Sequence, residues 1–204
     1  MSHIQQIPTN AVAARWAPRP RLPLLLVAVV GLLGALAVAA PAQAQSPYCG
    51  ITWGSTAKAQ SNASGTGDHV DEVRAGRHAC FDRLVVDLGD AARYRGYDVR
   101  YVTRVQQEGS GATVALRGGA RLRIVVHAEN RDASGSVTYR PGRRSDIVEV
   151  GSFRTFRQVA WAGAFEGQST IGVGTRARLP FRVMVLRGPH TGQSRLVVDV
   201  AHRW

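Results

Sequence analysis

Alternation of apolar and polar positions dominates the chain from His69 to its end. Tyr97, Val99, Tyr101, Thr103 and Val105 alternate with Asp98, Arg100 and Arg104. Leu122, Ile124, Val126 and Ala128 alternate with Arg121, Arg123 and His127. A period of two puts one set on the core face of a strand and the other in water. Strands are predicted near 69–75, 80–88, 97–105, 121–128, 153–161, 165–173, 181–187 and 194–202. Glycine-rich connectors at 109–111, 117–119, 167 and 172–174 separate these runs. No window beyond residue 44 has a convincing 3.6-residue period, although 89–95 has room for one helical turn. Many short strands with glycine turns predict an all-β sandwich or barrel. A β-sandwich of about eight short, mostly antiparallel strands is the expectation.

One pattern occurs twice. Residues 83–88 read Arg-Leu-Val-Val-Asp-Leu and residues 195–200 read Arg-Leu-Val-Val-Asp-Val. Laid antiparallel and in register, Arg83 meets Asp199, Val85 meets Val197 and Asp87 meets Arg195. A parallel register would oppose like charges, which is unfavourable. The two strands are therefore predicted to be antiparallel neighbours, with exposed Arg–Asp pairs contributing about 0–1 kcal/mol.

The stretch from Phe153 to Gly174 is the most distinctive. Phe153, Thr155, Arg157, Val159 and Trp161 would share one face, and Arg154, Phe156, Gln158 and Ala160 the other. Ala162-Gly163-Ala164 would turn into a strand on which Phe165, Ile171 and Val173 pack while Glu166, Gln168 and Thr170 face water. Its glycines suggest bulges or close backbone approach. Arg154, Arg157, Glu166 and Gln168 would form a polar patch able to hydrogen-bond a sugar–peptide polymer, with a solvated sheet face as the plainer alternative. Arg121 and Arg123 alternate with buried residues on another run and extend the outward basic set. The long connection 129–151 reads as a hairpin of Val137-Thr138-Tyr139 and Ile147-Val148-Glu149-Val150, with Arg140, Arg143 and Arg144 at its tip. Long loops often carry function, though a solvated basic tip is the plainer account.

The N-terminus alters the picture of where these strands work. Arg15, Arg19 and Arg21 precede an apolar run from Leu22 to Ala40, and Ala42-Gln43-Ala44 has the form of a signal-peptidase site. Residues 1–44 are predicted to be a signal peptide cleaved after Ala44. An uncleaved membrane anchor is the alternative, since the run is near the ~18 residues that span a bilayer. Residues 45–68 read as a tethered apolar segment followed by a flexible linker, and 69–204 as one domain. The chain holds 26 Lys+Arg and 14 Asp+Glu, and the leader takes three arginines, so the remainder carries 23 − 14 = +9. Cys49 and Cys80, the only two cysteines, are predicted to pair, as cysteines in an exported chain do.

Catalytic and metal signatures are scarce. Gly172-x-Gly174-x-x-Ala177 resembles a dinucleotide fingerprint, but Leu179-Pro180 and a strand follow it rather than a helix. The six histidines form no compact zinc spacing. A dispersed site from His69, His127, His202 and an aspartate is the metal or hydrolase alternative. Asp82, Asp87 and Glu166 are candidate paired carboxylates that any β domain would offer. No Gly-x-Ser-x-Gly elbow is present. No enzyme, metal or cofactor is therefore expected. Nucleic acid is not an expected partner despite pI ≈ 11.2, because no basic stripe with interleaved aromatics is visible.

Several segments together resemble a known family. These are Cys-Gly-Ile-Thr-Trp-Gly at 49–54, Val-Arg-Ala-Gly-Arg-His-Ala-Cys-Phe-Asp-Arg-Leu-Val-Val-Asp-Leu at 73–88, Phe-Glu-Gly at 165–167 and Ser-Arg-Leu-Val-Val-Asp-Val-Ala-His-Arg-Trp at 194–204. They resemble secreted AMIN-like domain proteins, with 129–151 matching least. The resemblance implies a non-catalytic β-sandwich that targets envelope structures, including peptidoglycan. It implies secretion with cell-wall association and peptidoglycan as partner; the positive charge adds anionic glycopolymer as a partner, and leader removal would leave no membrane span. Envelope proteins are a second partner class. A small secreted hydrolase and a protein–protein interaction domain are the rival functions.

Overall fold

The structure is a computed structural model describing residues 47–63, 65, 67–188 and 190–204. The predicted leader, its cleavage after Ala44 and the anchor alternative lie outside the described residues. Among the described residues no helix is long and apolar enough to cross a membrane.

The described strands are β1 Lys58–Ser61, β2 Asp68–Arg77, β3 Phe81–Leu88, β4 Gly96–Val102, β5 Val105–Gln106, β6 Thr113–Val114, β7 Ala120–Val126, β8 Ala128–Glu129, β9 Phe156–Phe165, β10 Gln168–Thr175, β11 Phe181–Arg187 and β12 Ser194–Ala201. The eight with seven or more residues correspond to the eight predicted runs. One five-stranded sheet has the order β11-β12-β3-β2-β8, the other β1-β4-β7-β10-β9. All pairings are antiparallel except β2–β8. Inward residues of both sheets, among them Leu84, Val86, Leu196, Val198, Leu122, Ile124, Ile171 and Val173, form one continuous apolar core. The all-β sandwich expectation is met.

The repeated motif pairs as the charge argument requires. β3 and β12 are antiparallel neighbours with Val85 opposite Val197, Arg83 opposite Asp199 and Asp87 opposite Arg195. The side-chain partners differ in part. Arg83 grips Asp199 through two hydrogen bonds, 2.6 and 2.9 Å, and Arg182 adds a third at 2.8 Å. Asp87 instead takes both of its bonds from Arg74 on β2, at 2.6 and 2.9 Å. Asp199 is also fully buried rather than exposed. The reason is that neighbouring arginine stems cover the sheet's outer face, so Val85 and Val197 are buried too.

Several sequence-based boundaries move. Ala162-Gly163-Ala164 is not a turn: β9 runs on to Phe165 through an irregularity opposite Thr170/Ile171. The reversal comes at Glu166-Gly167, with φ of 49° and 82°, the two positive values a tight two-residue hairpin needs. Phe165 is 50% exposed rather than packed, and Thr170 is buried rather than wet. A second irregularity at Gly174/Thr175 brings Phe156 and Val159 into the same core, which strict alternation would forbid. The predicted 97–105 strand ends at Val102, and its tail becomes the hairpin β5–β6. The 129–151 segment does not form the predicted hairpin of 137–139 with 147–150, and closes a shorter one in which Arg131 bridges Val137. It runs beside β9, with Ile147 N–H donating to Val159 O (2.9 Å) and Trp161 N–H to Arg144 O (2.8 Å). This satisfies backbone groups that an edge strand leaves open.

Two glycines have a packing role. Val105 and Leu116 lie over the outer face of β9–β10, against Ala160 and Ala162. A Cβ on Gly172 would come 2.9 Å from Leu116 Cδ1, and one on Gly174 only 1.9 Å from the backbone oxygen of Arg117. The fingerprint-like glycines are thus the floor of a packed hairpin.

Cys49 and Cys80 form the predicted disulfide, with Cα atoms 6.4 Å apart. Residues 54–68 are less of a linker than expected, because Lys58–Ser61 pairs with β4. Gly54 bridges Phe181, and Lys58 Nζ lies 4.2 Å from the Phe181 ring centre. The leading segment therefore straps the β11 edge of one sheet to the β4 edge of the other.

Two outcomes follow for stability. Gly174→Ala is expected to cost about 1–3 kcal/mol as an overpacking change, and Gly172→Ala less, since a flexible leucine end can move. Replacing both cysteines by Ser is expected to lower unfolding free energy by about 3–4 kcal/mol for a 31-residue separation. Urea denaturation at fixed pH reads both.

Candidate functional site

The outward basic residues do not gather on one surface. Arg121 and Arg123 stand on β7. Arg123 Nη2 lies 3.3 Å from Asp98, which Arg100 also engages, whereas Arg121 forms no hydrogen bond or ion pair among the described residues. Arg154 and Arg157 flank the start of β9. Arg157 Nη1 donates to the carbonyls of Phe153, Arg154 and Phe156 at 3.2, 3.3 and 2.9 Å, so it is spent on local backbone. Glu166 and Gln168 sit at the far end of β9, about 30 Å away along ten extended residues. Glu166 lines a polar cleft of about 380 Å³ with Asp68, His69, Arg95 and Glu129. There Asp68 Oδ1 accepts the N–H of His69 and Asp90, and burial pushes its carboxyl above the usual range.

Another polar cleft lies beside this end of β9. It measures about 390 Å³ and is lined by Gln107, Glu108, Asn130, Tyr139, Arg140, Arg144 and Trp161, with Gly163 and Ala164 at the β9 irregularity. Each wall has a local cause. Glu108 N–H donates to Ala162 O at 2.9 Å, docking the β5–β6 side. Its carboxylate accepts Thr170 Oγ1 at 2.5 Å and Gln168 Nε2 at 3.3 Å. Thr138 Oγ1 donates to Val70 O (2.7 Å), and Asn130 Nδ2 to Tyr139 O (3.2 Å), fixing the opposite loop. Tyr139 and Trp161 then meet with ring centres 5.0 Å apart and planes inclined 60°. Burial, aided by the charge of Glu72, pushes the Tyr139 phenol up to about 12. The guanidinium groups of Arg140 and Arg144 form no hydrogen bond or ion pair among the described residues.

Gln168 thus reaches this cleft indirectly, through Glu108. The basic tip of the 129–151 loop supplies Arg140 and Arg144. The Tyr139–Trp161 pair, Glu108 and Asn130 were not identifiable as site residues, because the loop's path along β9 joins positions far apart in sequence. The available signal was an aromatic at each of two places where the strand pattern is irregular.

The dispersed histidine site does not assemble. His69 Nε2 is 3.3 Å from Asp71, whereas His202 Nε2 is 3.1 Å from Asp82. Among the described residues no group of three His, Cys, Asp or Glu is placed to hold a metal ion.

The model of one protein family, the AMIN-like domain, matches residues 68–202. The chain belongs to the AMIN-like domain family. The match runs from the first residue of β2 to just past β12, so every described strand except β1 falls within the AMIN-like domain. The family is a non-catalytic targeting domain, and membership makes the chain a cell-envelope-associated module. The strap that carries Cys49 precedes the matched region. No curated protein and no solved structure matches the chain.

Tyr139 gives a pH test of the cleft. Its folded value is raised above the free phenol's, so its stabilising contribution is complete below about pH 10 and is lost as pH rises toward about 12. Unfolding free energy is expected to fall across that window, and less steeply in Tyr139→Phe. Paired urea titrations at pH 9 and above measure the difference.

Proposed function

We propose that this chain is an exported, non-catalytic module that binds cell-wall polymer, peptidoglycan or its attached anionic glycopolymer, through the Tyr139–Trp161 cleft. The observation that carries this reading is an aromatic pair ringed by unpaired guanidinium groups and amide side chains. Sugar rings present C–H faces that suit aromatic side chains, and their hydroxyls suit Asn130, Gln107 and Glu108. Carboxylates of a stem peptide suit Arg140 and Arg144, which can donate two hydrogen bonds to one group. The cleft's volume, about 390 Å³, falls within the range of small-ligand sites. The excess of +9 beyond the leader attracts acidic polymer at longer range. Arg121 and Arg154 contribute to that attraction with their free guanidinium groups.

The non-catalytic part draws support from His202, the histidine closest to a buried carboxylate. Its Nδ1 faces Ala79 O at 3.2 Å and its Nε2 faces Asp82 at 3.1 Å. Both ring nitrogens are committed, so neither is open to act as a general base.

Co-sedimentation with purified walls across a salt series tests the proposal. Retention is expected to fall as salt rises, because exposed charges are screened beyond about 8 Å at physiological ionic strength. Tyr139→Ala combined with Arg144→Ala is expected to weaken retention about tenfold or more. Absence of binding at low salt would overturn the wall-polymer reading. Retention indifferent to the cleft substitutions would move the site off Tyr139 and Trp161.

A further inference from the structure

A second cleft, about 560 Å³, opens at the other end of β9. It is lined by the pair Asp82–His202, by Arg77 and His78 at the β2–β3 connection, and by Ser152 and Arg154 in the segment before β9. Asp82 is fully buried. Its Oδ2 accepts the N–H groups of Thr155 and Phe156 at 2.5 and 3.1 Å, and its Oδ1 faces His202 Nε2. A carbonyl only accepts, so His202 Nδ1 must carry the hydrogen that meets Ala79 O. The 3.1 Å contact on the other side then needs a hydrogen of its own between Nε2 and the carboxyl. Whichever partner holds that proton, the pair is neutral overall.

This has a direct electrostatic consequence. Asp82 is the cross-strand partner of Arg77, yet its carboxyl is turned inward and used up. The guanidinium groups of Arg77 and Arg154 are left without any hydrogen bond or ion pair among the described residues. Arg77 ends β2 and Arg154 lies in the segment before β9, and together they bring two unmatched positive charges to one polar cleft. His78, held against the Phe81 ring at 4.5 Å, and the Ser152 hydroxyl add further donors.

We infer that this cleft is a binding site for a phosphate-class oxyanion, with Arg77 and Arg154 as its principal ligands. A planar carboxylate is satisfied by one guanidinium. Two guanidinium groups from separate chain segments, with a hydroxyl and an imidazole lining the same cleft, suit a tetrahedral group that presents oxygens in several directions. The volume leaves room for substituents on the phosphorus, as in a phosphodiester. The inference builds on the wall-polymer reading by giving a phosphate-bearing polymer a seat of its own. It does not need the Tyr139–Trp161 cleft to bind anything.

Amide chemical-shift titration of the exported protein tests it, with inorganic phosphate, a glycerol phosphodiester and acetate as separate probes. Saturable shifts at Arg77, His78 and Ser152 are expected with either phosphate probe, and none with acetate. Arg77→Ala together with Arg154→Ala should weaken the response at least tenfold. Arg154→Gln alone, at an exposed position with no partner, should weaken it severalfold and serves if the double variant does not fold. Inorganic phosphate acting alone would indicate free phosphate or a monoester, and response to the diester would indicate a polymer linkage. An equal response to acetate, no saturable shift at these residues, or indifference to Arg154→Gln would overturn the inference. Shifts confined to Asn130 and Gly163 would overturn it while leaving the wall-polymer reading intact.

Discussion

The sandwich depends on one buried carboxylate. Asp82 lies on the core side of β3, at the end of a run whose other inward positions are Leu84, Val86 and Leu88. An uncompensated charge there would be costly. It is matched instead by two backbone N–H groups at the entry to β9 and by His202 just beyond β12. Thr155 extends the network, its hydroxyl donating to Ala201 O and its carbonyl accepting the N–H of Arg176. His202 N–H in turn donates to Cys80 O, next to the disulfide. Elements of both sheets and the N-terminal strap thus converge on one polar knot, which apolar packing alone would not position.

That knot also fixes where β9 begins, and β9 organises the rest of the functional geometry. One end carries the Asp82–His202 cleft and the other the Tyr139–Trp161 cleft. Between them the strand is an edge, protected by the Arg144–Ile147 segment on its open side and by Val105 and Leu116 on its outer face. Its two irregularities let the strand serve both the core and a cleft wall. Two polar clefts on one strand, about 20 Å apart, suit an extended polymer better than a compact ligand. Simultaneous occupancy would raise avidity without any new contact. This agrees with an AMIN-like domain acting as an envelope-associated module.

The register of β3 and β12 was legible because alternation and charge pairing spoke together: only the antiparallel arrangement put Arg83 by Asp199. The disulfide was legible from compartment and number. The β9–β10 region was not, because period-two reasoning assumes an unbroken pleat, and irregularities at Gly163 and Arg157 break it. Exposed Phe165 and buried Thr170 are direct consequences. The clefts were the hardest to foresee. Arg154 was visible as an outward arginine, but Arg77, which lines the same cleft, ends a strand 77 residues earlier in the chain. Arg157, equally prominent in the sequence, spends its charge on carbonyls of its own turn. Tyr139 meets Trp161 only because a long loop trades a hairpin for the free edge of β9, a choice that local propensity does not encode.

Ligand is expected to enter the cleft framed by Tyr139 and Trp161. Residue-resolved shift mapping with a soluble muropeptide obtained by digesting wall material tests it most directly. The account predicts that the largest perturbations fall on the Trp161 indole, Asn130, Gln107 and Gly163, with β11 and the outer face of β12 silent. Perturbations centred on β11, or a spectrum unchanged at saturating muropeptide, would contradict it.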